Sequence, residues 1–382
     1  MRTIYFDYNA TTTLDPGVRE AMLPFLGEIY GNPSSVHQVG RRARALLDNA
    51  RDRTARVLGC KPSEVVFTSG GTESNNLAIF GTARRLKPKG RHLITSAIEH
   101  HAGLHCFDYL AKREDFSVTV LPVDGEGRVS VEDLRQALRP DTVLVSVMAA
   151  NNEIGTLQPV AELGAVCRER GVIFHTDAVQ WLGKEPFANI HQFNADLVSV
   201  CAHKFHGPKG AGALFIRSPL WPDPTQFGGG HENERRAGTE NLAGIIGFTE
   251  ALERFVPVAV FARAHLEPLT SALLAAIAAG PGVRFVGARQ GRLANTVAVV
   301  VEHADSIALL AGLDMEGICA SSGSACSAGS LEPSHVVSAL GLDGRLANAL
   351  VRFSLGRAST EAEVARVTEI WPEVVRRAQR CR

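Results

Sequence analysis

The sequence predicts an α/β protein with a large domain, built on a mostly parallel seven-stranded sheet flanked by helices, joined to a smaller α+β domain. Three observations predict it. Between about residues 63 and 217, short β-branched runs alternate with longer amphipathic segments in the rhythm of βαβ units. Each polar cluster in that stretch falls just after an apolar run, where an open parallel sheet places its ligands. Beyond residue 248 a long helical pattern leads into a second, shorter strand–helix series.

Seven runs are expected as buried strands: Val65–Thr68, His92–Thr95, Val118–Leu121, Val143–Val147, Val172–His175, Leu197–Val200 and Ala213–Ile216. Between them, Val131–Leu138 and Val160–Arg170 carry apolar residues at helical spacing and stop near Pro140 and Gly171. After Phe248 one continuous hinge helix is expected through Ala251-Leu252-Glu253 to Ile277. Thr296–Val300 then opens the smaller series, and Glu361–Arg380 reads as a closing amphipathic helix. The division follows: residues 15–258 form the large domain, and residues 1–14 with 259–382 form the small one.

At 382 residues the chain has ample length for a large core. Lysine plus arginine and aspartate plus glutamate both total 40, so no basic field points to nucleic acid or an acidic lipid surface. The first residues lack a signal-peptide apolar region, and no apolar run approaches the ~18 residues of a membrane span. Seven cysteines are scattered without a Cys-x-x-Cys pair, the usage of a reducing compartment, and a cytoplasmic location is expected. Thirteen histidines, densest at His100-His101 and His105, show neither a His-Glu-x-x-His motif nor zinc-type spacing, so no resident metal is expected.

His175-Thr176-Asp177-Ala178-Val179-Gln180 and Cys201-Ala202-His203-Lys204 place a carboxylate and a lysine at the ends of two successive strands. Pyridoxal phosphate requires that pairing. A lysine amine condenses with its aldehyde, and an aspartate facing the ring nitrogen keeps that nitrogen protonated, so the ring draws electrons from an amino acid's α-carbon. Lysines are usually solvated surface charges, and one at the mouth of a buried strand calls for a reason.

Thr68-Ser69-Gly70-Gly71-Thr72-Glu73-Ser74-Asn75-Asn76 follows a strand and opens a helix, which suits a single phosphate group as well as an ordinary capped βα turn. Ser96-Ala97-Ile98-Glu99-His100 sets an imidazole after the next strand, where it either caps a helix or works beside an aromatic cofactor. Asn151-Asn152-Glu153 follows the fourth strand, and an amide there suits donation to a phenolate oxygen. Ala320 to Ser330 is a run of small residues without an anchoring apolar side chain, the composition of a mobile loop, with Cys326 near its centre. A cysteine that packs so little reads as a reactive thiol, and with a free pKa near ~8.5 it needs a nearby cation or base. Arg352 is a candidate bidentate anchor for a carboxylate, or a plain surface charge.

Together with Tyr8-Asn9-Ala10-Thr11-Thr12, Gly31-Asn32-Pro33-Ser34-Ser35-Val36-His37 and Arg352-Phe353-Ser354-Leu355-Gly356-Arg357, these ordered motifs resemble the cysteine desulfurases of the NifS/IscS type. These are fold-type I pyridoxal-phosphate enzymes of the class V aminotransferase family, and the resemblance spans nearly the whole chain. It implies that Lys204 holds pyridoxal phosphate, that Asp177 pairs with the pyridinium, and that Gln180 and Asn152 sit near the phenolic oxygen. His100 stacks on the ring and assists proton transfer. Gly71, Thr72, Cys201 and His203 belong to the phosphate site, with Thr239 reaching it from a second subunit of a homodimer. Asn32, Asn152 and Arg352 face the substrate, L-cysteine. Cys326 is the nucleophile that takes the sulfur as a persulfide, leaving L-alanine, and a candidate transient ligand of an iron–sulfur cluster. A sulfur-acceptor protein, such as an iron–sulfur scaffold, is the implied partner.

Two features depart from that pattern. The family commonly has serine at Cys201, and a thiol is a far weaker donor to phosphate. The chain also ends 30 residues after Arg352, short of relatives whose tail docks a scaffold. The competing readings are a selenocysteine lyase or another enzyme of the same fold, and, from a different class, a non-catalytic sulfur-relay or scaffold protein.

Overall fold

A computed structural model describes residues 3–323 and 333–380. Its strands, in chain order, are β1 (Ile4–Tyr5), β2 (Val65–Thr68), β3 (His92–Ser96), β4 (Ser117–Leu121), β5 (Thr142–Ser146), β6 (Ile173–Asp177), β7 (Leu197–Cys201), β8 (Gly212–Ile216), β9 (Val283–Phe285), β10 (Thr296–Val301), β11 (Ile318–Cys319) and β12 (Leu350–Ser354).

All seven expected strands form one sheet, in the order β2-β8-β7-β6-β5-β3-β4. The pairs β4–β3, β3–β5, β5–β6 and β6–β7 are parallel, whereas β8 runs antiparallel to both of its neighbours. Valine, isoleucine and leucine fill the central strands because helices cover both faces of a parallel sheet, leaving no solvent face to alternate with. β4 lies at the edge, and only its last residue is buried. Asp177 pairs in register with Ser199, so β7 runs two residues further before the turn that carries His203 and Lys204.

The expected helices appear at Val131–Ala137, Val160–Glu169 and Glu361–Arg380. The last buries Val364, Val367, Ile370, Trp371, Val374, Val375 and Ala378, a stripe at helical spacing that packs on the helices Arg263–Ile277 and Ser306–Met315, with Trp371 edge-on to Phe353 of β12 in the small sheet β12-β10-β9. The continuous hinge helix expected from Phe248 to Ile277 does not form. Two helices, Leu242–Phe255 and Arg263–Ile277, stand in its place. Pro257 has no N–H to continue the hydrogen-bond ladder, and the apolar run Val258–Phe261 that kept the helical pattern alive is the connector.

Apolar side chains gather in two principal cores. One collects residues from Val18 to Val256 around the large sheet, and the other joins Ile4, Phe6 and Tyr8 to residues from Phe261 to Ala378. A smaller cluster, with Ile98 and Ile154 against Val286, Ala298, Val300 and Val337, packs the two bodies together beside the carboxyl ends of β3 and β5. No helix among the described residues is long and apolar enough to cross a membrane.

Candidate active site

A cleft of about 190 Å³ opens beyond the carboxyl ends of β3, β5, β6 and β7. Ten of the residues singled out in the sequence line it: Gly71, Thr72, His100, Asn152, Asp177, Gln180, Cys201, His203, Lys204 and Arg352.

Asp177 ends β6 and is buried. Its Oδ1 accepts the backbone N–H of Val179 at 2.9 Å and its Oδ2 accepts Asn75 Nδ2 at 2.6 Å, so both carboxylate oxygens are held. The sequence motif contains Asn75 without marking a role for it, although it lies one helical turn after Gly71 and Thr72 on the helix Gly71–Leu86, a spacing that puts all three at one end of one face.

Lys204 follows β7 by three residues. Its Nζ donates to the carbonyls of Asn9 at 2.6 Å and Ala10 at 2.7 Å, and burial pushes its pKa down from the ordinary lysine value. His203 Nδ1 lies 3.1 Å from Thr11 Oγ1, and burial lowers its imidazole to about 4. Burial pushes the Cys201 thiol up to about 11, with the Lys204 charge opposing the rise. That thiol is a neutral group in the cleft floor and not a nucleophile.

The first helical turn after Gly70 has no side-chain cap. Gly71 is required there by close approach, since a Cβ at that position would come 2.7 Å from Val179 Cγ2. His100 both caps a helix and lines the cleft. It is the N-cap of the helix His101–Arg113, accepting the Ala102 N–H at 3.1 Å on Nδ1. Burial lowers its pKa, partly offset by the Asp177 charge.

Arg352 is among the largest fully buried side chains, so it is no surface charge. Nη2 meets Asp7 Oδ1 at 2.6 Å and Nη1 donates to the Asn152 carbonyl at 2.8 Å, while its buried Nε has no partner. Asn9 is the residue the sequence left without a role. Its carbonyl receives Lys204 Nζ and Gln180 Nε2, and its side chain ties Asn152, Lys184, Asn295 and Thr296 together. Nothing in apolar periodicity marks such a hub.

Two expected residues lie elsewhere within this chain. Asn32 is exposed and accepts the Ser34 N–H in its own turn. Thr239 is exposed at a separate pocket beside Thr68 and Arg236. Cys326 lies outside the described residues. The segment's flanks are anchored at the site all the same. Ser321 forms an isolated bridge with Arg352, and Ser334 Oγ donates to Glu153 Oε2 at 2.6 Å. Of the histidine group, His101 stacks on His105 at 5.0 Å and tilts against His335 at 4.7 Å. Among the described residues no cluster of three or more histidine, cysteine or acidic side chains is arranged to hold a metal.

A carboxylate and an amine at neighbouring strand ends, an uncapped helix start and a buried arginine, all opening on one cleft at the edge of a mostly parallel sheet, define a fold-type I pyridoxal-phosphate enzyme. The family model for "Aminotransferase class-V" matches residues 4–367. The chain is 45% identical over 375 residues to "Cysteine desulfurase IscS" of Dictyoglomus turgidum, covering 98% of this chain and 95% of the relative. It is also 45% identical over 376 residues to the protein of the same name from Methanosarcina thermophila, covering 98% and 93%. The solved structure called "NIFS-LIKE PROTEIN" superposes with a TM-score of 0.91 at 37% identity, over 98% of this chain and 100% of that one. "SspA in complex with cysteine" gives 0.82 at 35% identity, over 94% and 100%. The chain belongs to the class-V aminotransferase family, within its cysteine desulfurases.

Proposed function

We propose that this protein is a pyridoxal-phosphate-dependent cysteine desulfurase that moves the sulfur of L-cysteine to Cys326 as a persulfide and releases L-alanine. The convergence of Asp177, Lys204, His100 and Arg352 on one cleft carries the reading. The residues present fit the cofactor. A cradle that a Cβ at Gly71 would disturb, an uncapped helix start and the unpartnered buried atoms Asn75 Oδ1 and Arg352 Nε are what a bound polar ligand would complete.

Lys204 would hold the cofactor through its amine, Asp177 would face the pyridine nitrogen, and Gln180 and Asn152 would meet the phenolic oxygen. Gly71, Thr72, His203 and Cys201 would surround the phosphate, with Thr239 contributed by the second subunit of a homodimer. When bound, pyridoxal phosphate supplies an electron sink that lets the substrate's α-proton leave.

The protein's own groups supply the rest. Asn75 and the Val179 amide fix the Asp177 carboxylate as an acceptor. Burial favours the neutral, nucleophilic amine of Lys204, held in place by two carbonyls. His100, with Nδ1 committed to the Ala102 N–H, has Nε2 as its proton-carrying atom. Arg352 lines the cleft, and beyond the N–H groups given to the Asn152 carbonyl and Asp7 it keeps one on each of Nη1 and Nη2, so its guanidinium is the donor available to a substrate carboxylate. Cys326 as thiolate attacks the substrate sulfur. An S–S bond forms, the substrate's C–S bond breaks, and its electron pair stays on carbon to take a proton.

The persulfide would pass to a sulfur-acceptor protein, with a cytoplasmic setting supported by the scattered, reduced cysteine usage. The division into residues 15–258 and residues 1–14 with 259–382 is supported by the two separate apolar cores. The test is product analysis with L-cysteine and a reductant. Wild type should release alanine and sulfide, and Cys326→Ala should keep the cofactor's colour while losing both products. Equal sulfide from the variant refutes the persulfide route.

A further inference from the structure

Lys184, four residues beyond Gln180 in the turns after β6, is a buried lysine beside the cleft. It is 4% exposed and does not line the cleft. Its Nζ donates to Asn9 Oδ1 at 2.6 Å and to Gln180 Oε1, and lies 5.1 Å from the centre of the Phe261 ring. Burial holds its pKa well below the ordinary value, with Lys204 and Arg352 adding to the effect and Cys201 and Glu185 opposing it. Burying an amine is costly unless its partners compensate, and no step of the reaction derived above uses this one.

What the amine fixes is the orientation of two carboxamides. An amide side chain turned by 180° keeps its shape, so its partners decide which end is oxygen. Lysine offers N–H donors in either protonation state, and both Asn9 and Gln180 present oxygen to it. Gln180 must then turn Nε2 away. One of its N–H bonds goes to the Asn9 carbonyl at 2.9 Å, and the other remains for the cleft that Gln180 lines. Asn9 is locked likewise. Its Oδ1 also takes Asn295 Nδ2 at 3.0 Å, which sends its own Nδ2 to the Asn152 carbonyl at 3.1 Å and Thr296 Oγ1 at 2.9 Å.

We propose that Lys184 is a positioning residue that locks the Gln180 carboxamide with its nitrogen toward the cleft, so that Gln180 acts only as a donor to an anionic oxygen there. The inference rests on the pyridoxal-phosphate reading, in which that oxygen is the cofactor's phenolic oxygen. An N–H donated to that oxygen favours its charged form, so losing it makes the site hold its proton to higher pH.

The test is a pH titration of the visible absorption of the cofactor-loaded protein. Lys184→Met should move the midpoint upward by about half a unit or more, and Lys184→Gln, a neutral donor, should return it toward wild type. An unmoved midpoint in Lys184→Met overturns the proposal. Equal shifts in both variants also overturn it, because the lysine then acts through charge and not through orientation. If Lys184→Met does not accumulate folded, protein labelled with ¹⁵N-glutamine carries the test. The Gln180 side-chain N–H pair, assigned with Gln180→Ala, should shift when pyridoxal phosphate is added, and an unmoved pair overturns the proposal. A wild-type protein that takes up no pyridoxal phosphate overturns instead the reading of the cleft on which the proposal stands.

Discussion

Arg352 Nη2 lies 2.6 Å from Asp7 Oδ1, joining the last strand of the small sheet to the first residues of the described chain at the cleft. The arginine is almost wholly buried, so the pair is not a surface ion pair of negligible worth. Removing one partner leaves an uncompensated buried charge. Asp7→Ala should lower stability by about 3 kcal/mol. It should also raise the KM for L-cysteine, because the guanidinium loses the contact that sets its angle. Thermal denaturation and steady-state kinetics check both effects.

In the proposed cofactor site, Cys201 stands where a hydroxyl could donate to phosphate, and its thiol, pushed up to about 11 by burial, is a weak donor. Cys201→Ser should tighten pyridoxal phosphate by roughly 1 kcal/mol, about fivefold, the worth of one added hydrogen bond. Equilibrium reconstitution of the cofactor-free protein measures it, with slower cofactor loss on dialysis as the accompanying sign.

Glu99 is fully buried beside His100. Ser96 Oγ at 2.5 Å and the Met148 N–H at 2.9 Å both meet its Oε1, and burial pushes its carboxyl up to about 8. In the unfolded chain this group ionises near its ordinary value of 4.5, whereas in the fold it stays protonated to about 8. Its stabilising contribution is therefore complete below 4.5 and is lost as pH rises through 8. Glu99→Gln, which keeps the acceptor oxygen, should gain stability relative to wild type as pH rises from 5 to about 8. Melting temperatures across that range show it.

Three imidazoles act in the opposite sense. Burial lowers His203 and His206 to about 4 and His175 to about 3. The unfolded chain takes up protons at these groups near 6.5 while the fold resists, so stability falls as pH drops from 6.5 toward 4. His175→Gln should flatten that acid limb, as read from denaturant midpoints at pH 6.5 and 4.5.

Glu153 Oε2 accepts Ser334 Oγ and would lie 2.8 Å from a Cβ on Gly323, so one carboxylate meets both flanks of residues 324–332. Glu153→Ala should leave cofactor colour intact and cut sulfide release about tenfold or more, since a nucleophile brought from a loosened segment loses its orientation. Absorption spectra and turnover measured on the same sample separate the two effects.

Strand positions were legible because β-branched runs bounded by turns leave few alternatives, and the cleft was legible because its residues follow strands one by one. Asp177, Lys204 and His100 each sit directly after such a run. The roles of Asn9, Asn75 and Lys184 were not legible for the converse reason. Their roles are hydrogen bonds to residues 100 or more positions away, or to an amide whose own role had to be known first. The antiparallel direction of β8 was equally hidden, since a buried strand reads alike both ways. The break at Pro257 was visible as a residue but was outweighed by the apolar pattern that continues past it.

The central claim is that sulfur passes through Cys326. Intact-protein and peptide mass spectrometry after a brief pulse of L-cysteine without reductant tests it most directly. One added sulfur on the peptide carrying Cys326, absent from Cys326→Ser and from Lys204→Ala, is the predicted result. Alanine formed in equal amount with no sulfur on Cys326 would contradict the account.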